Sequence, residues 1–75
     1  MEESKNRERF VTLAEKRVTR AIKDLRLIGN LSNKTNYAYT KEDVRKIMSA
    51  LNKEIKSLKQ RFDSDKQSDD AVFKL

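Results

Sequence analysis

The chain has 75 residues and a net charge of +6 at pH 7, and it contains no cysteine, histidine or proline. A chain of this length forms one small domain, whose core usually needs a cross-link, a metal or a second subunit for stability. Disulfides and metal sites built from cysteine or histidine are excluded. A second chain is therefore the expected source of further burial.

Several function classes lack the residues that they need. No apolar run reaches the length of a membrane span, and the first residues lack the basic and apolar regions of a signal peptide. There is no histidine or cysteine for acid–base or nucleophilic chemistry and no glycine-rich phosphate loop. We therefore predict a cytoplasmic protein that is not an enzyme and that has no cofactor, metal, small-molecule substrate or membrane partner.

Residues 1–8 are predicted to form a flexible N-terminus and residues 9–62 a helical hairpin. The first helix, at about residues 5–28, carries apolar residues at alternating steps of three and four, which is the spacing of one helix face. This first seam consists of Val11, Ala14, Val18, Ala21, Leu25 and Ile28. Gly29 follows it, where a left-handed helix cap is expected because glycine carries no Cβ.

The predicted connection, residues 29–39, is rich in asparagine and holds both tyrosines. Asn33 and Asn36 are typical turn residues, since an asparagine side chain can bond to nearby backbone. Tyr37 and Tyr39, close to Lys34, have two readings. They could stack on the bases of a single strand, or they could pack over the end of the hairpin. Packing is favoured, because tyrosines beside a helix start usually pack.

The second helix is predicted at residues 40–62. Thr40 is placed to cap it, with Asp43 completing a variant of the capping box and Tyr39 packing on Val44. Its apolar residues form the second seam, again at steps of three and four: Val44, Met48, Leu51, Ile55, Leu58 and Phe62. No helical pattern continues into residues 63–75, which are acidic and predicted to be disordered.

These elements predict an all-α fold, a two-helix antiparallel hairpin. Two helices cover only one side of each other, so self-association into a dimer or tetramer, as a helical bundle, is expected. The residues expected in the contact with a copy or another partner are Val18, Leu25, Met48, Leu51, Ile55, Leu58 and Phe62.

The stretch from Arg26 to Val44, RLIGNLSNKTNYAYTKEDV, resembles the hallmark of a family of short bacterial, phage and plasmid proteins with a helical hairpin. The hallmark reads RLIGNLSN-x-x-N-Y-x-Y-T-x-x-D-V, and the following helix ends in Arg61 and Phe62. The resemblance covers most of residues 9–62. It implies a setting in bacteria or their mobile elements and brings no catalytic residue with it.

Charge is distributed unevenly along the chain. Residues 1–62 hold 16 Lys and Arg against 8 Asp and Glu, a net charge of +8, whereas residues 63–75 hold 2 against 4, a net charge of −2. On helical wheels the cations form narrow stripes away from the seams, and Lys41, Arg45, Asn52, Lys56 and Lys59 make the one on the second helix. The predicted contacts to nucleic acid or an acidic partner are Arg9, Lys16, Arg20, Lys23, Lys34, Arg45, Lys56 and Lys59.

Three functions remain open at this point. The first is binding of DNA, RNA or a nucleic-acid–protein complex, with an accessory or regulatory role. The second is a phage-type inhibitor or interaction protein that binds a host nucleic-acid enzyme, as anti-CRISPR proteins do. The third is a helical subunit of a larger assembly. The basic stripes would otherwise be ordinary solvated helix faces.

Overall fold

The computed structural model describes residues 2–74, with side chains described for residues 4–63. It contains two helices, α1 (Glu2–Asn30) and α2 (Lys41–Lys74), which residues 31–40 connect. The described part of the chain contains no strand. The predicted all-α class is confirmed, and the order helix, connection, helix is that of the predicted αα-hairpin.

Both helices are longer than predicted. α1 begins at Glu2 and α2 continues past Phe62 to Lys74, whereas the predicted helices span about residues 5–28 and 40–62. The flexibility predicted for residues 1–8 and the disorder predicted for residues 63–75 stay predictions. Low hydrophobicity predicts disorder because little apolar surface can be buried. However, residues 63–74 contain no glycine or proline that would interrupt the backbone hydrogen bonds of a helix. Met1 and Leu75 lie outside the described residues.

The end of α1 is built differently from the predicted glycine cap. Gly29 lies inside the helix, and its φ is not positive. The amides of Leu31, Ser32 and Asn33 instead donate to the carbonyls of Ile28, Gly29 and Asn30, at N···O distances of 3.0, 3.0 and 3.4 Å. These bonds to the third residue back tighten the last turn and satisfy carbonyls that the helix end would leave free. A left-handed residue is therefore not needed here.

We expect the substitution Gly29→Ala to stabilise the helix. The glycine has a helical conformation, and nothing lies within 4 Å of the position that an alanine Cβ would take. Alanine in a helix is favoured over glycine by about 0.5–1 kcal/mol, since it loses less backbone freedom on folding. Urea unfolding followed by circular dichroism measures the change. A loss of stability would mean that Gly29 acts as a left-handed cap in solution.

The start of α2 follows the prediction closely. The Asp43 amide donates to Oγ1 of Thr40 at 3.1 Å, and the Thr40 amide donates to Oδ2 of Asp43 at 2.9 Å. The Val44 amide donates to the Thr40 carbonyl at 3.2 Å, which is the first bond of the helical ladder. Glu42 and Asp43 also place negative charge in the first turn, where the helix dipole favours it. The capping box is thus confirmed, and a cap of this kind stabilises a helix by about 0.5–2 kcal/mol.

Each helix, taken by itself, leaves its apolar seam accessible. None of residues 4–63 is buried, although Val11, Ala14, Ile28 and Leu51 are half-buried. The other large residues of the seams are exposed, from 41% for Val44 to 65% for Phe62. Exposed apolar side chains of this kind usually stabilise a fold only when another surface covers them.

Candidate nucleic-acid interface

Four predicted contact residues lie together on one face of α1. Arg9, Lys16, Arg20 and Lys23 are all exposed, and at 100° per residue they fall within one sector opposite the first seam. We call these four residues the basic stripe. With a rise of 1.5 Å per residue, the stripe extends for about 21 Å along the helix. It thus presents four positive charges to the same side of α1.

The middle of the basic stripe forms a shallow groove. Its walls are the side chains of Leu13, Lys16, Arg17 and Arg20, spaced three and four residues apart. Neighbours at these spacings share one patch of a helix surface. Leu13 and Arg17 were not among the predicted contacts, and the same spacing counted from Lys16 and Arg20 would have identified them.

The cations of α2 occupy a different position from the predicted one. Arg45, Asn52 and Lys56 line a second shallow groove, together with Ser49 and Lys53 and with Met48 of the second seam. The stripe on α2 therefore borders its seam instead of lying away from it. The reason is that Arg45, Asn52 and Lys59 each follow a seam residue by one position, which turns them by only about 100°. Lys53 was missed by the sequence prediction.

Arg45 has a partner within its own helix. Its Nη1 donates to Oε1 of Glu42 at 2.7 Å, one turn earlier. The two side chains are 74% and 56% exposed. An exposed pair of this kind contributes at most about 1 kcal/mol, so a phosphate could displace the carboxylate. Because Glu42 already neutralises part of its charge, Arg45 is nonetheless less available to a phosphate than the residues of the basic stripe are.

The connection is organised by Asn33. Its Oδ1 accepts a hydrogen bond from the Thr35 amide at 2.9 Å, and its carbonyl accepts from the amides of Asn36 and Tyr37 at 3.1 and 3.0 Å. Asn33 is therefore a turn residue, as predicted. Its side-chain oxygen is already engaged, which leaves less of it to read a base.

The two tyrosines of the connection differ in exposure. Tyr39 is half-buried beside the start of α2, as expected for a packed residue, whereas Tyr37 is 49% exposed. Lys34 is exposed in the same turn. Of the two tyrosines, Tyr37 is thus the one whose ring a partner can reach.

Within the described residues, neither helix carries an apolar stretch long enough to cross a membrane. The resemblance to the family of short bacterial, phage and plasmid proteins remains a prediction. No family model, curated protein sequence or solved structure matches this chain.

Proposed function

We propose that this protein is a small non-enzymatic binding protein whose basic stripe on α1 contacts the phosphate backbone of DNA or RNA. It would act in the cytoplasm of a bacterium, or from a mobile element, in an accessory or regulatory role. The observation that carries the proposal is that Arg9, Lys16, Arg20 and Lys23 share one exposed face.

The spacing of the stripe suits a phosphate backbone. Successive phosphates of one strand are about 3.4 Å apart along the helix axis of DNA. The stripe, which is about 21 Å long, therefore extends along roughly six phosphates. A helix of about 10–12 Å diameter also fits the major groove of B-form DNA, which is about 12 Å wide. Contacts of this type supply affinity and orientation without reading sequence.

The second groove extends the proposal to α2. Arg45, Lys53 and Lys56 add three positive charges on the side of Met48. Single-stranded nucleic acid offers both phosphates and exposed bases, so a groove that combines cations with an apolar side chain can accept either. Duplex and single-stranded probes are therefore both needed to define the preferred ligand.

The proposal is tested by sedimentation of the full chain with labelled duplex and single-stranded DNA and RNA at two salt concentrations. If the four cations of the stripe each release a counterion, duplex DNA affinity should fall by about a hundredfold between roughly 50 and 200 mM salt. Absence of binding to all four probes at the lower salt would overturn the proposal. A protein target, as for an inhibitor of a nucleic-acid enzyme, would then take its place.

A further inference from the structure

We infer that the ring of Tyr37 is a stacking platform for an unpaired base, so that the connection adds recognition of single-stranded DNA or RNA to the phosphate contacts of α1. This specifies the ligand class of the proposed function and rests on that function. Tyr37 is 49% exposed, whereas Tyr39 is half-buried beside the start of α2. An exposed aromatic ring offers a flat surface to a base, and every base has a flat π-face that fits it.

The backbone that carries Tyr37 is ordered by the turn around Asn33. The amide of Tyr37 donates to the carbonyl of Asn33 at 3.0 Å, and the amide of Asn36 donates to the same carbonyl at 3.1 Å. The side chain of Asn33 adds a third bond, since its Oδ1 accepts from the amide of Thr35 at 2.9 Å. A ring on an ordered turn loses less conformational freedom on binding than a ring on a loose segment, which favours affinity.

The charge near Tyr37 also suits a nucleic acid. From residue 25 to residue 38 the chain contains no Asp or Glu, while Arg26 and Lys34 are positive. Lys34 is exposed and lies three positions before Tyr37 in the same turn. A base that stacks on the ring therefore brings its phosphate close to a cation, with no neighbouring carboxylate in the sequence to repel it.

Tyr37 and the basic stripe belong to the same part of the molecule. Residues 1–38 form one compact unit, which contains α1 and the turn that follows it. Lys23, the last cation of the stripe, lies seven residues before the end of α1 at Asn30, which is about 10.5 Å along the helix. This length is roughly three times the axial distance between the phosphates of one strand. A short oligonucleotide is therefore long enough to extend from the stripe to the connection.

The first test compares a single-stranded DNA oligonucleotide with an abasic strand of the same length, which has the same phosphates and no bases. In fluorescence anisotropy with the full chain, the oligonucleotide should bind about tenfold more tightly, which is the effect expected of one stacked base. Equal affinities would overturn the stacking inference, while the phosphate contact of the proposed function would stand. Binding of neither strand would overturn both.

The variant Tyr37→Leu removes the ring and keeps an apolar side chain. It should lower the affinity for the oligonucleotide by about tenfold and leave the affinity for the abasic strand unchanged. Tyr37→Phe is the matched control, because it keeps the ring and should bind the oligonucleotide almost as tightly as the unmodified chain does. A loss that is equal for the two strands, or equal for the two variants, would overturn the inference.

The fluorescence of the chain reports on the ring directly, since the sequence contains two tyrosines and no tryptophan. In the variant Tyr39→Phe, Tyr37 is the one remaining tyrosine, and stacking on a base should quench its emission. The abasic strand should leave this emission nearly unchanged. In the matched variant Tyr37→Phe, the oligonucleotide should quench the remaining Tyr39 much less. Equal quenching in the two variants would overturn the inference.

Discussion

Replacing Lys16 and Arg20 with glutamine is expected to weaken binding to duplex DNA by between one and two powers of ten at about 0.1 M salt. Both side chains are exposed, and both line the groove at the middle of the basic stripe. Each cation that contacts a phosphate contributes about 0.9 to the slope of log affinity against log salt, so this slope should fall by about 1.8. Fluorescence anisotropy across a salt series measures the affinity and the slope together.

A charge-matched control separates a local contact from a general effect of net charge. The variant Arg26→Gln, Lys46→Gln also removes two positive charges, from exposed positions outside the basic stripe. It should leave the salt slope nearly unchanged. Equal losses for the two variants would show that the whole positive field of the chain attracts the nucleic acid, without a defined contact on α1.

The second large effect is expected at the second seam. The variant Leu51→Ala should destabilise the fold by about 2–5 kcal/mol per chain, because truncation would leave a cavity where another helix packs on the second seam. Leu51 is half-buried in the single chain already, and a paired helix would cover the rest of its side chain. Urea unfolding at a fixed protein concentration, followed by circular dichroism, gives the free energy of unfolding.

Leu27→Ala is the matched control, since it makes the same change outside the seams. Leu27 is 62% exposed on α1, so its truncation should alter the stability by no more than about 0.5 kcal/mol. Similar small effects for both variants would mean that no partner covers the second seam. If the predicted self-association occurs, the melting temperature of the unmodified chain should also rise with concentration, because association stabilises the folded state.

The features that sequence predicted best are those whose partners lie close together in the chain. The Thr40–Asp43 capping box and the Asn33 turn join residues two to four positions apart, and both are present. Residue type and spacing are sufficient there, because few backbone geometries satisfy both hydrogen-bonding groups. The heptad spacing likewise predicted two helices.

The errors have physical causes that can be named. Gly29 suggested a left-handed cap, but tightened bonds satisfy the last carbonyls of α1 without one. The polar sequence after Phe62 suggested that the second helix ends there, but α2 continues to Lys74, because polarity alone does not break a helix. On α2, the predicted stripe is narrow, but it lies only about 100° around the helix from the seam. That angle places Arg45 and Lys56 in one groove with Met48.

The short reach of the hydrogen bonds in the connection has a consequence for the kinetics of folding. The backbone hydrogen bonds described above for the connection, and the side-chain bonds of Asn33, Thr40 and Asp43, span two to four positions. Such local contacts cost little loop-closure entropy. Turns and helices of this kind form within microseconds. If two copies must meet before the seams are covered, the encounter becomes the slow step. Folding would then be a second-order process, whose rate increases with protein concentration.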